Sequence, residues 1–227
     1  MNLPSARYFD RWAKTYDSDL ARFDYRLPAI AAALTAPILP SGAHILDIGI
    51  GTGLIARAIK SACPGTYIAG VDISAKMLAS AQMADEVHIC DAGSQILPFA
   101  ENTFDAAVAV GVLEFIAHPA WTLIQAARVL KPGGHLIVVY EPIDHAADYK
   151  PGILRGVIAH TPECAVVRRI HYTPLPRFYN KYLHDTGLLI QIARAAGFEI
   201  RHRNRITAYT RPRFGPVAHD ILVLQKT

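Results

Sequence analysis

Short apolar runs alternate with amphipathic segments through the middle of the chain, and most runs end at glycine, proline or an acid. Runs of that length read as buried strands, and the segments between them carry the helical spacing of apolar residues. The pattern predicts strands at 44–48, 67–72, 86–90, 104–111 and 134–141, with helices at about 53–62, 75–82 and 119–130. The 92–103 connection reads as loop. His118-Pro119 marks a helix start, and Lys131-Pro132-Gly133-Gly134 a stop followed by a turn. Such alternation implies a parallel sheet with helices on both faces, an α/β fold.

The flanks read differently. Tyr8, Trp12, Tyr16 and Leu20 recur every fourth residue, which predicts one helix face, with Ser5 as its cap. Pro28 suits the first turn of a helix running to about Ala36, ended by Pro37 and Pro40. From Ile143 to Asp185 no period holds: Pro151, Pro162, Pro174 and Pro176 share the stretch with His145, His160, His171 and His184 and with five aromatic residues. A segment this long without a period is either functional or disordered, and its aromatic content argues for function. Thr186–Ala196 returns to helix, closed by Gly197, and 198–209 and 217–225 read as two strands.

Composition narrows the picture a little. At 227 residues and 52% hydrophobic, the chain suits one α/β domain with additions: residues 1–40 as an N-terminal helical cap and 143–185 as an insertion. The longest strongly apolar run, 106–113, is too short to span a bilayer, and the first ten residues lack the layout of a secretory signal. Three scattered cysteines, none in a CxxC pair, fit reduced thiols in a cytoplasmic protein and no metal site. A net charge of +4 permits an anionic partner without arguing for nucleic acid.

The chemistry concentrates where the first strand meets its turn. Asp47-Ile48-Gly49-Ile50-Gly51-Thr52-Gly53 places three glycines at alternate positions, with an acid two residues before the first. Strand, glycine turn and helix make a nucleotide-binding crevice. A pyrophosphate seeks a helix N-terminus without a nearby carboxylate, so Asp47 disfavours a dinucleotide and favours a cofactor bearing positive charge. Asp72 ends the second strand about 20 residues on, where a carboxylate accepts hydrogen bonds from ribose hydroxyls. It also suits a helix N-cap, and a nicotinamide enzyme would use it in the same way.

These residues, with Val71-Asp72-Ile73-Ser74, Cys90-Asp91-Ala92 and Arg128-Val129-Leu130-Lys131-Pro132-Gly133-Gly134, resemble a class I S-adenosylmethionine-dependent methyltransferase. Within that superfamily the chain is similar to the ubiquinone/menaquinone-biosynthesis branch. Tyr8-Phe9-Asp10 to Tyr16-Asp17 and Tyr25-Arg26-Leu27-Pro28 also resemble the Williams-Beuren-region methyltransferase-like proteins. The resemblance implies a Rossmann-like, seven-stranded, mostly parallel sheet of order 3-2-1-4-5-7-6 with an antiparallel last strand. It implies that Asp91 and the Ala92 amide take the adenine amino group, that the Val110 and Gly111 carbonyls take the methionine ammonium, and that Tyr16 closes over the cofactor. Ile73 and Met77 are placed to sandwich the adenine, although Met77 is equally a helix core residue. Glu114 follows where the family often has His or Glu, and reads either as substrate-orienting or as solvated.

Methyl transfer asks the protein to position a nucleophile and, where needed, take its proton. Glu141, His145 and His171 lie after the fifth strand or in the irregular segment and are the candidate catalytic groups. Arg201, Arg203 and Arg205 share a strand face, which reads as a solvated sheet edge or as a guanidinium face for an anion. The expectation is therefore an S-adenosyl-L-methionine-dependent enzyme methylating O, N or C of a small molecule, anionic or aromatic, by in-line transfer. An RNA methyltransferase, a nicotinamide-dependent oxidoreductase and a catalytically silent relative are the competing readings. The acceptor and the oligomeric state are not legible in the sequence.

Overall fold

The computed structural model describes residues 3–144, 156–161, 164–171, 177–211 and 215–227. In chain order its elements are α1 (Leu3–Trp12), α2 (Tyr16–Ala21), α3 (Leu27–Thr35), β1 (His44–Ile48), α4 (Leu54–Ala62), β2 (Tyr67–Asp72), α5 (Ala75–Leu78), β3 (Glu86–Ile89), β4 (Phe104–Val110), α6 (Pro119–Val129), β5 (Leu130–Tyr140), β6 (Gly156–His160), β7 (Cys164–His171), β8 (Arg177–His184), α7 (Thr186–Ala195), β9 (Phe198–Arg211) and β10 (Gly215–Lys226). The main sheet runs β3-β2-β1-β4-β5-β10-β9. β1 to β5 are mutually parallel, and β10 is antiparallel to both neighbours. Counting this sheet alone, β9 and β10 are sixth and seventh, which is the 3-2-1-4-5-7-6 order.

Alternation along each strand divides the core between two faces. Leu46 and Ile48 of β1 pack with Leu123 and Ala126 of α6 and with Leu189 and Ala193 of α7. Ile45 faces the other way, onto Leu27 and Ala31 of α3 and Ile55 and Ile59 of α4. The sheet is therefore covered on both sides, and its ligand edge lies beyond the carboxyl ends of β1, β2 and β4.

Several expectations are corrected in detail. The N-terminal helix is broken: Asp19 accepts hydrogen bonds from the Trp12 indole and the Thr15 hydroxyl, both at 2.8 Å, and this pair of contacts folds the chain around residues 13–15. Ser5 lies inside α1, which already begins at Leu3. The helix expected to reach residue 82 stops at Leu78, since Ala79–Ala84 turns toward β3. β5 begins at Leu130, four residues early, with a register shift opposite Phe104/Ala106. The stretch expected to be irregular holds a second, antiparallel sheet of order β6-β7-β8. Ala165, Val167 and Leu183 form its small core, against which Ile143 packs.

Two polar networks fasten this second sheet and the last strands to the main body. Tyr140 donates to Thr186 (2.9 Å), Thr186 donates to Asp220 (2.7 Å), and the Arg205 guanidinium closes on Asp220 (2.5 Å). Burial works against the Asp220 charge, but Arg205, Thr186 and Arg203 hold its carboxyl below the usual range. Lys181 of β8 pairs with Glu141 after β5 at 2.5 Å, both side chains almost fully buried. Removing one partner of such a pair strands a charge, at a cost of about 3–5 kcal/mol. Lys181→Met is accordingly expected to destabilise the fold by that amount in urea titration, and Lys181→Met/Glu141→Leu to recover most of it. A double variant as unstable as the single one would contradict this.

Candidate active site

The glycine turn is set by sterics. Gly49, Gly51 and Gly53 have φ of 77°, 57° and 85°, where side chains are strained. A Cβ on Gly49 would stand 2.6 Å from Val112 Cγ2. The amides of Gly49 and Ile50 donate to the Val71 carbonyl at 2.8 and 3.0 Å, and that of Gly51 donates to Asp72 Oδ2 at 2.9 Å. The other Asp72 oxygen accepts from the Ser74 amide at 2.8 Å. One carboxylate thus locks the turn of β1 and the start of α5. Burial is the main influence on Asp72; it raises the carboxyl's pKa despite these amides.

Beneath the turn lies Asp47, 1% exposed. Its Oδ2 has no hydrogen-bond partner among the described residues. Burial first, then the negative charge of Asp72, pushes its carboxyl up to about 8. A buried oxygen of this kind calls for a cationic or donor group from outside the chain.

A cleft of about 670 Å³, part of it open to solvent, runs from the turn past Asp72, Ile73, Met77, Asp91 and Ala92 to Val110 and Gly111. Tyr16, Gly49 and Gly51 also line it, so the fold brings these ten sequence-selected residues to one cleft. Gly53 serves behind it: its amide donates to Ile50 O at 3.0 Å, and a Cβ there would crowd Ala81. Asp91 Oδ1 accepts from the Gly93 amide at 3.1 Å, and the Ala92 carbonyl accepts from Thr122 at 3.0 Å. Cys90 is among the lining residues, and its thiol, which donates to the Ile96 carbonyl at 3.8 Å, is pushed up to about 11 chiefly by burial.

α1 and α2 lie across this cleft. Asp10 accepts from the Ser74 hydroxyl (2.7 Å) and the Lys76 amide (3.2 Å), and Asp17 accepts from the Thr52 hydroxyl (2.5 Å). Phe9 meets Phe115 edge-on at 4.7 Å, and Tyr8 stacks on Tyr179 of β8 at 4.4 Å. Burial and the charges of Asp72, Asp17 and Glu114 keep the Tyr16 phenol protonated. Sequence reasoning missed Ser5, Phe9, Val112, Phe115 and Ile116 as walls. Phe9 was legible in the Tyr-Phe-Asp opening, but the others carry no signal beyond apolar or small character.

The candidate catalytic groups fare differently. Glu141 is tied to Lys181, and its amide donates to Glu114 Oε1 at 3.1 Å; it does not line the cleft. His145 and the side chain of His171, which ends β7, lie outside the described residues. His184 instead has a defined role: its Nε2 lies 3.1 and 3.0 Å from the Leu113 and Ile116 carbonyls, so Nε2–H donates and pins the 3-10 turn at Leu113–Phe115. Arg201 pairs with Glu199 at 2.9 Å, Arg203 reaches Asp220 at 3.8 Å, and Arg205 bridges Asp220 and Asp144 at 2.5 Å each. Among the described residues no cluster of His, Cys, Asp and Glu is placed to hold a metal ion.

Asp47 gives a pH signature to the ligand-free protein. Its folded-state pKa lies near 8, against an ordinary 3.8, so the folded chain binds the extra proton between those values. Stability from this residue is therefore full at low pH and lost as pH rises toward 8. Asp47→Asn should gain on the wild type steadily from pH 5 to 8 in thermal unfolding, by about 2–4 °C per kcal/mol in a chain this size. A difference in Tm that does not change with pH would contradict the assignment.

Comparison with known proteins places this geometry. A family model described as a methyltransferase domain matches residues 46–138. Methyltransferase-like protein 27 of Homo sapiens is 35% identical over 153 residues, 64% of this chain and 61% of that protein. The ubiquinone/menaquinone biosynthesis C-methyltransferase UbiE of Roseobacter denitrificans is 31% identical over 170 residues, 70% of this chain and 67% of that protein. The match to the human protein thus spans only about three fifths of that relative's length. Among solved structures, a Burkholderia thailandensis 1,6-didemethyltoxoflavin-N1-methyltransferase has a TM-score of 0.63 at 19% identity, over 98% of this chain and 88% of that one. Sheet order, glycine turn and sequence kinship agree: the chain belongs to the class I S-adenosylmethionine-dependent methyltransferase family.

Proposed function

We propose that this protein transfers the methyl group of S-adenosylmethionine to a small molecule. The observation that carries the reading is Asp47 Oδ2, buried beneath the glycine turn without a partner among the described residues. A cationic methionine ammonium answers it, while the phosphates of a dinucleotide would bring it neither a donor nor a positive charge. Asp72 would hold the ribose hydroxyls, and Asp91 with the Ala92 amide the adenine amino group. Ile73 and Met77 would flank the ring, and the Val110 and Gly111 carbonyls would join Asp47 at the ammonium. When bound, the cofactor supplies an electrophilic methyl on a sulfonium.

The chain's own part is to bind, orient and exclude water. In this reading residues 1–40 serve as a cap and 143–185 as a lid, which is supported by Phe9 and Tyr16 lining the cleft and by Tyr8 stacking on Tyr179 of β8. A cover at the carboxyl edge of the sheet would suit the place where open α/β folds bind ligands. A small acceptor suits this cover better than a nucleic acid, because Arg201, Arg203 and Arg205 are engaged with acids of their own chain. No helix among the described residues is long and apolar enough to cross a membrane.

Calorimetry is the direct test. S-adenosylmethionine and S-adenosylhomocysteine should bind, and NAD and NADP should not. Asp72→Ala should weaken S-adenosylhomocysteine by at least about tenfold, the loss of a charged hydrogen-bond acceptor. Tight NAD binding, or an Asp72→Ala variant of wild-type affinity, would overturn the reading.

A further inference from the structure

The opening of the chain carries two aromatic–aspartate pairs, Phe9-Asp10 in α1 and Tyr16-Asp17 at the start of α2. In each pair the aromatic residue lines the cleft. The aspartate beside it holds the body of the protein. Asp10 Oδ1 accepts from the Ser74 hydroxyl at 2.7 Å and from the Lys76 amide at 3.2 Å. Asp17 Oδ1 accepts from the Thr52 hydroxyl at 2.5 Å. Ser74 and Thr52 are both buried. A hydrogen bond to a charged acceptor is one of the stronger side-chain contacts, so each aspartate fixes its aromatic neighbour against the cleft.

The two landing points share a clamp. Asp72 holds the Gly51 amide with one oxygen and the Ser74 amide with the other. Thr52 directly follows Gly51, and Ser74 is shared outright: its amide goes to Asp72 and its hydroxyl to Asp10. Charge joins the same groups. Burial is the main influence raising the Asp72 carboxyl, and the negative charge of Asp10 adds to it. Ribose donors arriving at Asp72 would spread its charge and ease the repulsion from Asp10. Occupancy of Asp72 then strengthens the hold of Asp10 on Ser74, and by linkage that hold strengthens ribose binding.

We propose that Asp10 and Asp17 are positioning residues that latch α1 and α2 over the cofactor, so that its release requires both to let go of Ser74 and Thr52. Neither aspartate lines the cleft; each acts through the aromatic residue before it and through the residues that Asp72 clamps. The proposal rests on the methyl-transfer reading above.

S-adenosylhomocysteine is the probe, with association and dissociation followed by stopped flow on the full chain. Its binding to the wild type tests the functional reading by itself, and without that binding the reading falls. Given binding, Asp10→Ala and Asp17→Ala should each speed dissociation by about tenfold, a change of about 1.4 kcal/mol, without slowing association. Thr52→Val, which loses only the hydroxyl contact, should match Asp17→Ala, and the two together should be no faster than either alone. A purely structural role predicts a lower Tm with unchanged dissociation, and that result would overturn the proposal. So would affinity lost through slower association, or effects of Thr52→Val and Asp17→Ala that add. Should the alanine variants not fold, Thr52→Val decides alone: faster dissociation supports the latch, and wild-type dissociation overturns it.

Discussion

A single buried acid organises this molecule. Asp47 sits one residue from the carboxyl end of β1, paired through its backbone register with β2 and β4, with a carboxyl oxygen that nothing in the described chain satisfies. Burying such a group costs stability unless a ligand completes it. The surroundings concentrate the cost. Asp72 stands close enough to push Asp47 toward the neutral form, and Asp72 cannot be spared because its oxygens hold the Gly51 and Ser74 amides. The glycine turn, the start of α5 and the electrostatic demand of the site are thus one arrangement. A ligand cation at Asp47 relieves the burial of the one acid and its repulsion with the other.

The cover over this site depends on residues far away in sequence. His184 pins the turn that presents Val112, Phe115 and Ile116 to the cleft, and His184 itself belongs to the second sheet. Burial pushes its imidazole toward the neutral form, which suits a ring that donates from Nε2 to carbonyls. The second sheet is in turn fastened by Lys181–Glu141, and the last strands by the chain from Tyr140 to Arg205. Cleft shape is set through these contacts as much as by the glycine turn. That is why Glu141, selected from sequence for chemistry, instead holds a buried ion pair.

What was legible in the sequence follows how local each signal is. The parallel core could be read because β1, β2 and β4 are short apolar runs bounded by glycine or acid, a pattern with few alternatives. Ten cleft residues were legible because motif spacing fixes them on adjacent turns. The second sheet was not, although Ala165 and Val167 alternate inward. Its period-two signal is short, interrupted by prolines and crossed by arginines, and its core is only a few residues. The break between α1 and α2 was hidden for another reason: it arises from side chains of Trp12, Thr15 and Asp19, which leave the four-residue aromatic spacing intact. Glu114, left open between substrate orientation and solvation, is buried, and its partner His219 lies more than a hundred residues on, beyond reach of any spacing rule.

The central claim is that the Asp47 carboxyl waits for a cation, and proton release measures it most directly. Titrate S-adenosylhomocysteine into the protein at pH 7 in buffers of different ionisation enthalpy, and read the slope of observed enthalpy against buffer enthalpy. Asp47 is mostly protonated in the free protein, given a carboxyl pushed up to about 8. An ammonium beside it would drive that proton off, so binding should release about one proton, and Asp47→Asn should abolish the release. Binding with no proton exchange in the wild type, or an undiminished release in Asp47→Asn, would contradict the account.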